Sequence, residues 1–308
     1  MTRGLCLLVA ILTAACDLRL ERTTKALPTP AEKAALFPPP PAASIITGLL
    51  GPESVLHDPE QDVYFISNIN GGLLDVDGNG FISRVDPDTM AVDLHWIEGG
   101  KNGVQLDGPK GMAVAGNFLY VADVTAVRRF DRRTGAPEGG IELTGATLIN
   151  DLTTDGDAIY VSDSAATPGP GIQFVPTGPG AIWKISGGRP EKIAAGPALN
   201  QPNGLDFVDG HLWVVTFGGN ELYRLDEGRK VDVRKVPRGQ LDGLIHLEDG
   251  TPVVSSWIGT AIYRRSGDAF SPLLTAVTTP ADIGYDARRK RLLVPRSALN
   301  QVTIHSMP

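Results

Sequence analysis

The sequence predicts an all-β chain: a six-bladed β-propeller of four-stranded antiparallel blades around a central channel. Three observations carry this. Gly 36 and Pro 24 punctuate 308 residues with no long helical periodicity between them, which favours short strands and turns. A unit of about forty residues recurs six times from Pro52 onward. Each unit holds strand patterns only, and a period near forty built from strands is the mark of a propeller blade.

The elements follow in order within each unit. The openings are "PESVLHD", "PKGMAVA", "INDLTTD", "PNGLDFV", "LDGLIHL" and "PADIGYD". The second strands, rich in Tyr, Val and Ile, are "VYFISN", "LYVADV", "IYVSDS", "LWVVTF", "PVVSSW" and "LLVPRS". The third strands are "GFISRVD", "AVRRFD", "AIWKIS", "ELYRLD", "AIYRRS" and "QVTIHS". The apolar segment from Ser44 to Leu50 precedes the first unit and is placed to close the ring against the last blade.

One stretch imitates another motif. "DVDGNGFISRVD", Asp75 to Asp86, has the residue order of an EF-hand loop. Its second half is the third strand of blade 1, and no helix pattern flanks it. "DVDGNG" is therefore the connection between two strands, with Gly supplying positive φ. Asp75, Asp77 and Asn79 still offer oxygen ligands for a second calcium ion; the plainer reading is a polar turn. Blade 3 carries a longer insert, "AATPGPGIQFVPTGPG", Ala165 to Gly180, too proline-rich for a regular strand. Both inserts leave a second strand, so both are expected to rim the channel mouth.

The N-terminus reads as a targeting segment. Residues 1–15 carry one early charge, Arg3, and a short apolar run, as in a signal peptide. The run ends "LTAAC", which resembles a bacterial lipobox with Cys16 as the lipidated residue. Cys6 lies in the removed segment, so a globular part at residues 44–308 has no thiol chemistry. Residues 16–43 are proline-rich and read as a tether. The expected location is the bacterial cell envelope, facing the periplasm or the exterior, with membrane contact through a lipid anchor only. The net charge of −7 gives no basic face, which excludes a nucleic-acid partner, and a monomer is expected.

The innermost strand of each blade lines the channel, so the openings converge at one mouth. Their second residues are Glu53, Lys110, Asn150, Asn203, Asp242 and Ala281. Two carboxylates and two carboxamides are a ligand set for a hard divalent cation, Ca²⁺ above all. Zn²⁺ would want His or Cys, and neither stands here.

With these residues in place the chain resembles the senescence-marker-protein, gluconolactonase and luciferin-regenerating-enzyme family of six-bladed propellers. The likeness rests on Glu53 in "PES", Asn150 in "IND", Asn203 in "PNG" and Asp242 in "LDG", in matching blade order over residues 45–306. It implies that Glu53, Asn203 and Asp242 bind one divalent metal. It implies that Asn150 contacts the substrate, and that Asp242 doubles as general base of lactone hydrolysis. Leu148 stands where the sugar lactonases often place an Arg, and Lys110 where a neutral residue is usual. These departures point away from gluconolactone itself. Asn150 and Lys110 are the expected substrate contacts.

The function so implied is metal-dependent hydrolysis of a small-molecule lactone or similar ester. The alternative is a non-catalytic envelope propeller of NHL type that binds a protein or glycan. In that case a Glu53–Lys110–Asp242 ion network would plug the channel. His246 reads as a channel or core histidine, and Trp183, Trp213 and Trp257 as packing between blades.

Overall fold

The computed structural model describes residues 42, 44–171 and 173–307. The expected signal segment 1–15, Cys16 and all but residue 42 of the 16–43 tether lie outside the described residues. Among the described residues the regular structure is strand, apart from two short 3-10 turns at Pro197–Leu199 and Ser297–Leu299. No helix there is long and apolar enough to cross a membrane.

Six four-stranded antiparallel sheets form the ring, as the repeat predicts. Their innermost strands are Pro52–Asp58, Pro109–Ala115, Ile149–Thr154, Pro202–Val208, Leu241–His246 and the short Gly284–Asp286. Second strands such as Val63–Asn68 and Ala158–Asp163 are buried along their whole length. Both faces of such a strand meet a neighbouring blade, which is why these stretches are apolar without alternating. Outermost strands such as Arg189–Ala195 and Arg229–Lys235 are mostly exposed and charged. The core is accordingly divided into six apolar clusters, each shared between adjacent blades.

The ring closes through the N-terminal segment. Ser44–Ile46 is the outermost strand of blade 6, with Ser44 opposite Ile304 and Ile46 opposite Val302. On the inner side, Ser54 and Asp282 form a parallel bridge between blades 1 and 6, and Asp282 N donates to Glu53 O at 2.9 Å.

Every blade from 1 to 5 begins with the same irregularity. Pairing with the second strand slips by one residue between Pro52 and Val55, Pro109 and Met112, Ile149 and Leu152, Pro202 and Leu205, and Leu241 and Leu244. A bulge of this kind turns consecutive side chains in new directions and is common beside functional sites. The glycines of "PNG" and "LDG" lie inside these bulges and are not turn residues. A Cβ on Gly204 would run into the Asp242 carbonyl, and one on Gly243 into the backbone of Ile283. They are glycine because adjacent innermost strands approach too closely for a side chain.

The "DVDGNG" segment is a connection between strands Val63–Asn68 and Phe81–Val85. Asp86 lies beyond the far end of the second of these and accepts hydrogen bonds from Asp88 N and Thr89 N. A strand thus separates it from Asp75, which breaks the EF-hand loop. The blade 3 insert departs from expectation. It contains a small antiparallel hairpin, with Ala166 opposite Pro176 and Pro168 opposite Phe174. Its prolines sit at hairpin ends, where a missing N–H costs no ladder bond.

Candidate functional site

One pocket gathers four of the six opening residues. Glu53, Asn150, Asn203 and Asp242 line it, while Lys110 and Ala281 do not. Each of the four occupies the bulge of a different blade. All are buried, with Glu53 at 6%, Asn203 at 2% and Asp242 at 3% exposure. Glu53 Oε2 and Asp242 Oδ1 are buried with no hydrogen-bond partner. A buried carboxylate oxygen is normally satisfied, so two such oxygens at one pocket are a feature that asks for a ligand.

Neighbouring groups hold two of the four in place. Trp257 Nε1 donates to Asp242 Oδ2 at 2.7 Å. Asn150 Nδ2 donates to Ser164 Oγ at 3.3 Å, and Ser164 Oγ donates to Pro202 O at 2.7 Å. Burial, then repulsion by Asp242, raises Glu53 well above the usual carboxylate range. Burial, then repulsion by Asp282, pushes Asp242 up to about 8.

Lys110 lies outside the pocket lining, contrary to its expected place at the substrate. It is fully buried, and its Nζ donates to Gly108 O at 2.7 Å. Burial pushes it down to about 8 against the pull of Glu53. Its charge therefore acts on Glu53 from behind. Glu53 Oε2 and Asp242 Oδ1 keep no hydrogen-bond partner beside it.

The walls were not foreseen. Ile69, Ser164, Phe217, Trp257 and Ser297 line the pocket, each directly after the second strand of its blade. Phe174, from the blade 3 insert, completes an aromatic cluster. Its ring lies 4.8 Å from Phe217 and 6.2 Å from Trp257, and those two are 5.6 Å apart, all edge to face. Trp257 is therefore a pocket residue rather than blade packing. The signal was present in the repeat, because the last letter of the aligned second strands runs Val, Ser, Phe, Trp, Ser from blade 2 to blade 6. Leu73 brings the blade 1 connection to the same rim, so both inserts border this mouth.

Asp75, Asp77 and Asn79 stand apart on that connection. Asp75 Oδ2 accepts from Gly72 N, and Asn79 Nδ2 donates to Asp77 Oδ2 at 2.7 Å. These are the contacts of a polar turn. Among the described residues no three His, Cys, Asp or Glu side chains form a metal-binding group of their own. A cation at the channel mouth would need the carboxamides of Asn203 and Asn150 beside the two carboxylates.

The other end of the channel opens into a larger cavity of about 500 Å³. Asp151, Asp282, Asp206 and His246 line it. His246 Nδ1 pairs with Asp206 Oδ2 at 2.9 Å, so this histidine is both satisfied and cavity-lining.

No family model matches the chain, and no curated protein does. Solved structures do. A structural-genomics target provisionally named a gluconolactonase is 17% identical, with TM-score 0.59 over 88% of this chain and 95% of its own. Virginiamycin B lyase from Staphylococcus aureus, in an inactive form with quinupristin, is 14% identical, with TM-score 0.55 over 86% of this chain and 99% of its own. A chain of a nidogen–laminin complex is 16% identical, with TM-score 0.55 over 70% and 75%. At these identities the likeness is one of fold, a fold that serves enzymes and binding proteins alike.

Proposed function

We propose that this chain is a metal-dependent hydrolase of a lactone or similar ester. The observation that carries the reading is the pair of unpartnered buried oxygens, Glu53 Oε2 and Asp242 Oδ1, at one pocket with Asn150 and Asn203. This oxygen-rich set fits a hard divalent cation such as Ca²⁺. Glu53, Asn203 and Asp242 would hold it. When bound, such an ion supplies Lewis-acid polarisation of the ester carbonyl.

The chain's own residues supply the rest. Trp257 fixes the Asp242 carboxylate through Oδ2 and leaves Oδ1 to take a proton from the attacking water. The water oxygen bonds to the carbonyl carbon, the ring C–O bond breaks, and the proton ends on the departing alkoxide. Asn150, held by Ser164, is positioned to orient the substrate carbonyl. Lys110 holds a positive charge behind Glu53 and favours its ionised form. The N-terminal pattern adds a second element to the proposal, a lipid anchor at Cys16 that holds the propeller at an envelope membrane.

The test is metal content and ester hydrolysis of the chain purified without chelators, beside Glu53→Gln and Asp242→Asn. The expected result is one divalent ion per chain, lost in Glu53→Gln. In Asp242→Asn, kcat/KM should fall by about 10² or more. An ion retained in Glu53→Gln would move the metal to Asp75–Asn79. A chain that takes up no ion with Ca²⁺ in excess would leave a binding propeller.

A further inference from the structure

We infer that the substrate of this site carries an apolar tail, as in an alkyl or aryl lactone, and is not a polyhydroxylated sugar lactone. The inference rests on the hydrolase reading and names its substrate class.

The inner chamber is small and polar only where the reacting group would sit. Its volume is about 80 Å³, the share of roughly two or three water molecules in the liquid. That is room for an ester group and little more. Above Glu53, Asn150, Asn203 and Asp242 the walls are Ile69, Leu73, Leu148, Phe174, Phe217 and Trp257, while the two wall hydroxyls, Ser164 and Ser297, donate to the Pro202 and Pro52 carbonyls. A sugar lactone would press its hydroxyls against these side chains and lose water's hydrogen bonds with few replacements. An alkyl or aryl group gains from the same burial, and from the aromatic edges and faces around it.

The rest of the substrate has a place to go. A second space of about 430 Å³ lies on the same face and shares Phe174 and Phe217 with the inner chamber. Pro176, Pro197 and Ile258 border it on one side and the carboxamides of Gln173, Asn200, Gln201 and Gln240 on the other, so it is uncharged and mixed in polarity. Ile258 is 52% exposed and Val175, on the hairpin beside Phe174, is 49% exposed. Among the described residues no Lys, Arg, Asp or Glu lines this groove. The reacting group thus enters the chamber while its tail crosses the Phe174–Phe217 wall into an uncharged groove. Leu148 belongs to the same apolar wall.

Three six-membered lactones test this with the ring held constant: δ-decalactone, δ-valerolactone and D-glucono-δ-lactone. For the metal-loaded chain, kcat/KM should be on the order of 100-fold higher for δ-decalactone than for D-glucono-δ-lactone. It should be about 10-fold higher than for tail-less δ-valerolactone. Phe174→Ala should raise KM for δ-decalactone by a clearly larger factor than for δ-valerolactone, because the tail loses more contact there than the ring does; an equal rise for both would overturn the tail assignment. Equal or greater turnover of D-glucono-δ-lactone would overturn the tail assignment and leave the hydrolase reading standing. If none of the three is turned over, the hydrolase reading falls. δ-Decalactone binding, read by tryptophan fluorescence with Trp257→Phe as control, then decides the tail alone, and no binding overturns it as well.

Discussion

Two regions of the molecule crowd carboxylates together, and they treat them in opposite ways. In the channel Glu53, Asp151, Asp242 and Asp282 lie within reach of one another, with Lys110 beside Glu53. Burial, then mutual repulsion, raises Glu53, Asp151 and Asp242; burial raises Asp282, to about 7. At the seam where blade 6 meets blade 1, arginines answer the acids. Arg289 reaches Asp62, Asp88 and Asp286, and Arg288 reaches Asp62. Hydrogen bonds from Arg289 hold Asp62 well below the usual range. Burial pushes Asp286 up, but Tyr64 and Arg289 overcome it and bring it below. The seam is a finished ion network. The channel keeps two carboxylate oxygens, Glu53 Oε2 and Asp242 Oδ1, unanswered.

The largest expected effect breaks the seam. Arg289→Ala leaves the fully buried Asp286 short of a cation. Stability should fall on the order of 3 kcal/mol in denaturant titration, as when one partner of a buried pair is removed. A loss under about 0.5 kcal/mol would make the network an ordinary surface ion cluster.

The pH profile of the metal-free chain should separate the two regions. A carboxyl whose folded pKa is raised costs stability above that value, and the cost is relieved as pH falls through it. Asp242 and Asp282, up at about 8 and about 7, should make the chain more stable on going from pH 9 to pH 6. The gain should be on the order of 2 kcal/mol. Asp62 behaves in reverse. Its contribution is present above its unfolded value of about 3.9 and is lost as pH falls below it. Thermal melts across this range should rise toward mild acid and drop below about pH 4. Saturating Ca²⁺ should flatten the upper limb, because a bound cation holds the carboxylates ionised. A profile falling steadily from pH 9 to pH 6 would remove the contrast.

A smaller effect sharpens the channel side. Asp282→Asn keeps a partner for Ser54 Oγ and removes one negative charge. At pH 8 the metal-free variant should be more stable by about 1 kcal/mol, with the difference shrinking as pH falls through about 7 and gone below about pH 4, where the unfolded carboxyl is protonated too. Destabilisation at pH 8 would show that the channel acids are already compensated.

Much of this was legible from the repeat. The phase of the openings places Glu53, Asn150, Asn203 and Asp242 at one mouth, and the structure brings those four together. Lys110 shares that phase and turns away to the Gly108 carbonyl. Asp151 and Asp282 follow opening residues directly and line the opposite cavity. The bulge at the head of each innermost strand is the reason, since it redirects neighbouring side chains by amounts that a period-two pattern does not encode. Trp257, Phe217 and Phe174 were missed for a related reason. An aromatic residue at a strand end reads as packing until it is known which loops share a face.

The sequence by itself determined the six-fold count, the strand order, the closing segment Ser44–Ile46 and the oxygen-rich character of the mouth. Those follow from periodicity and residue type, which are local properties of the chain. Only the tertiary structure decided which carboxylates meet an arginine and which face one another, and that the walls above the polar floor are aromatic. Charge compensation and pocket lining depend on pairs such as Asp62 with Arg289, or Trp257 with Asp242, whose meeting is set by closure of the ring.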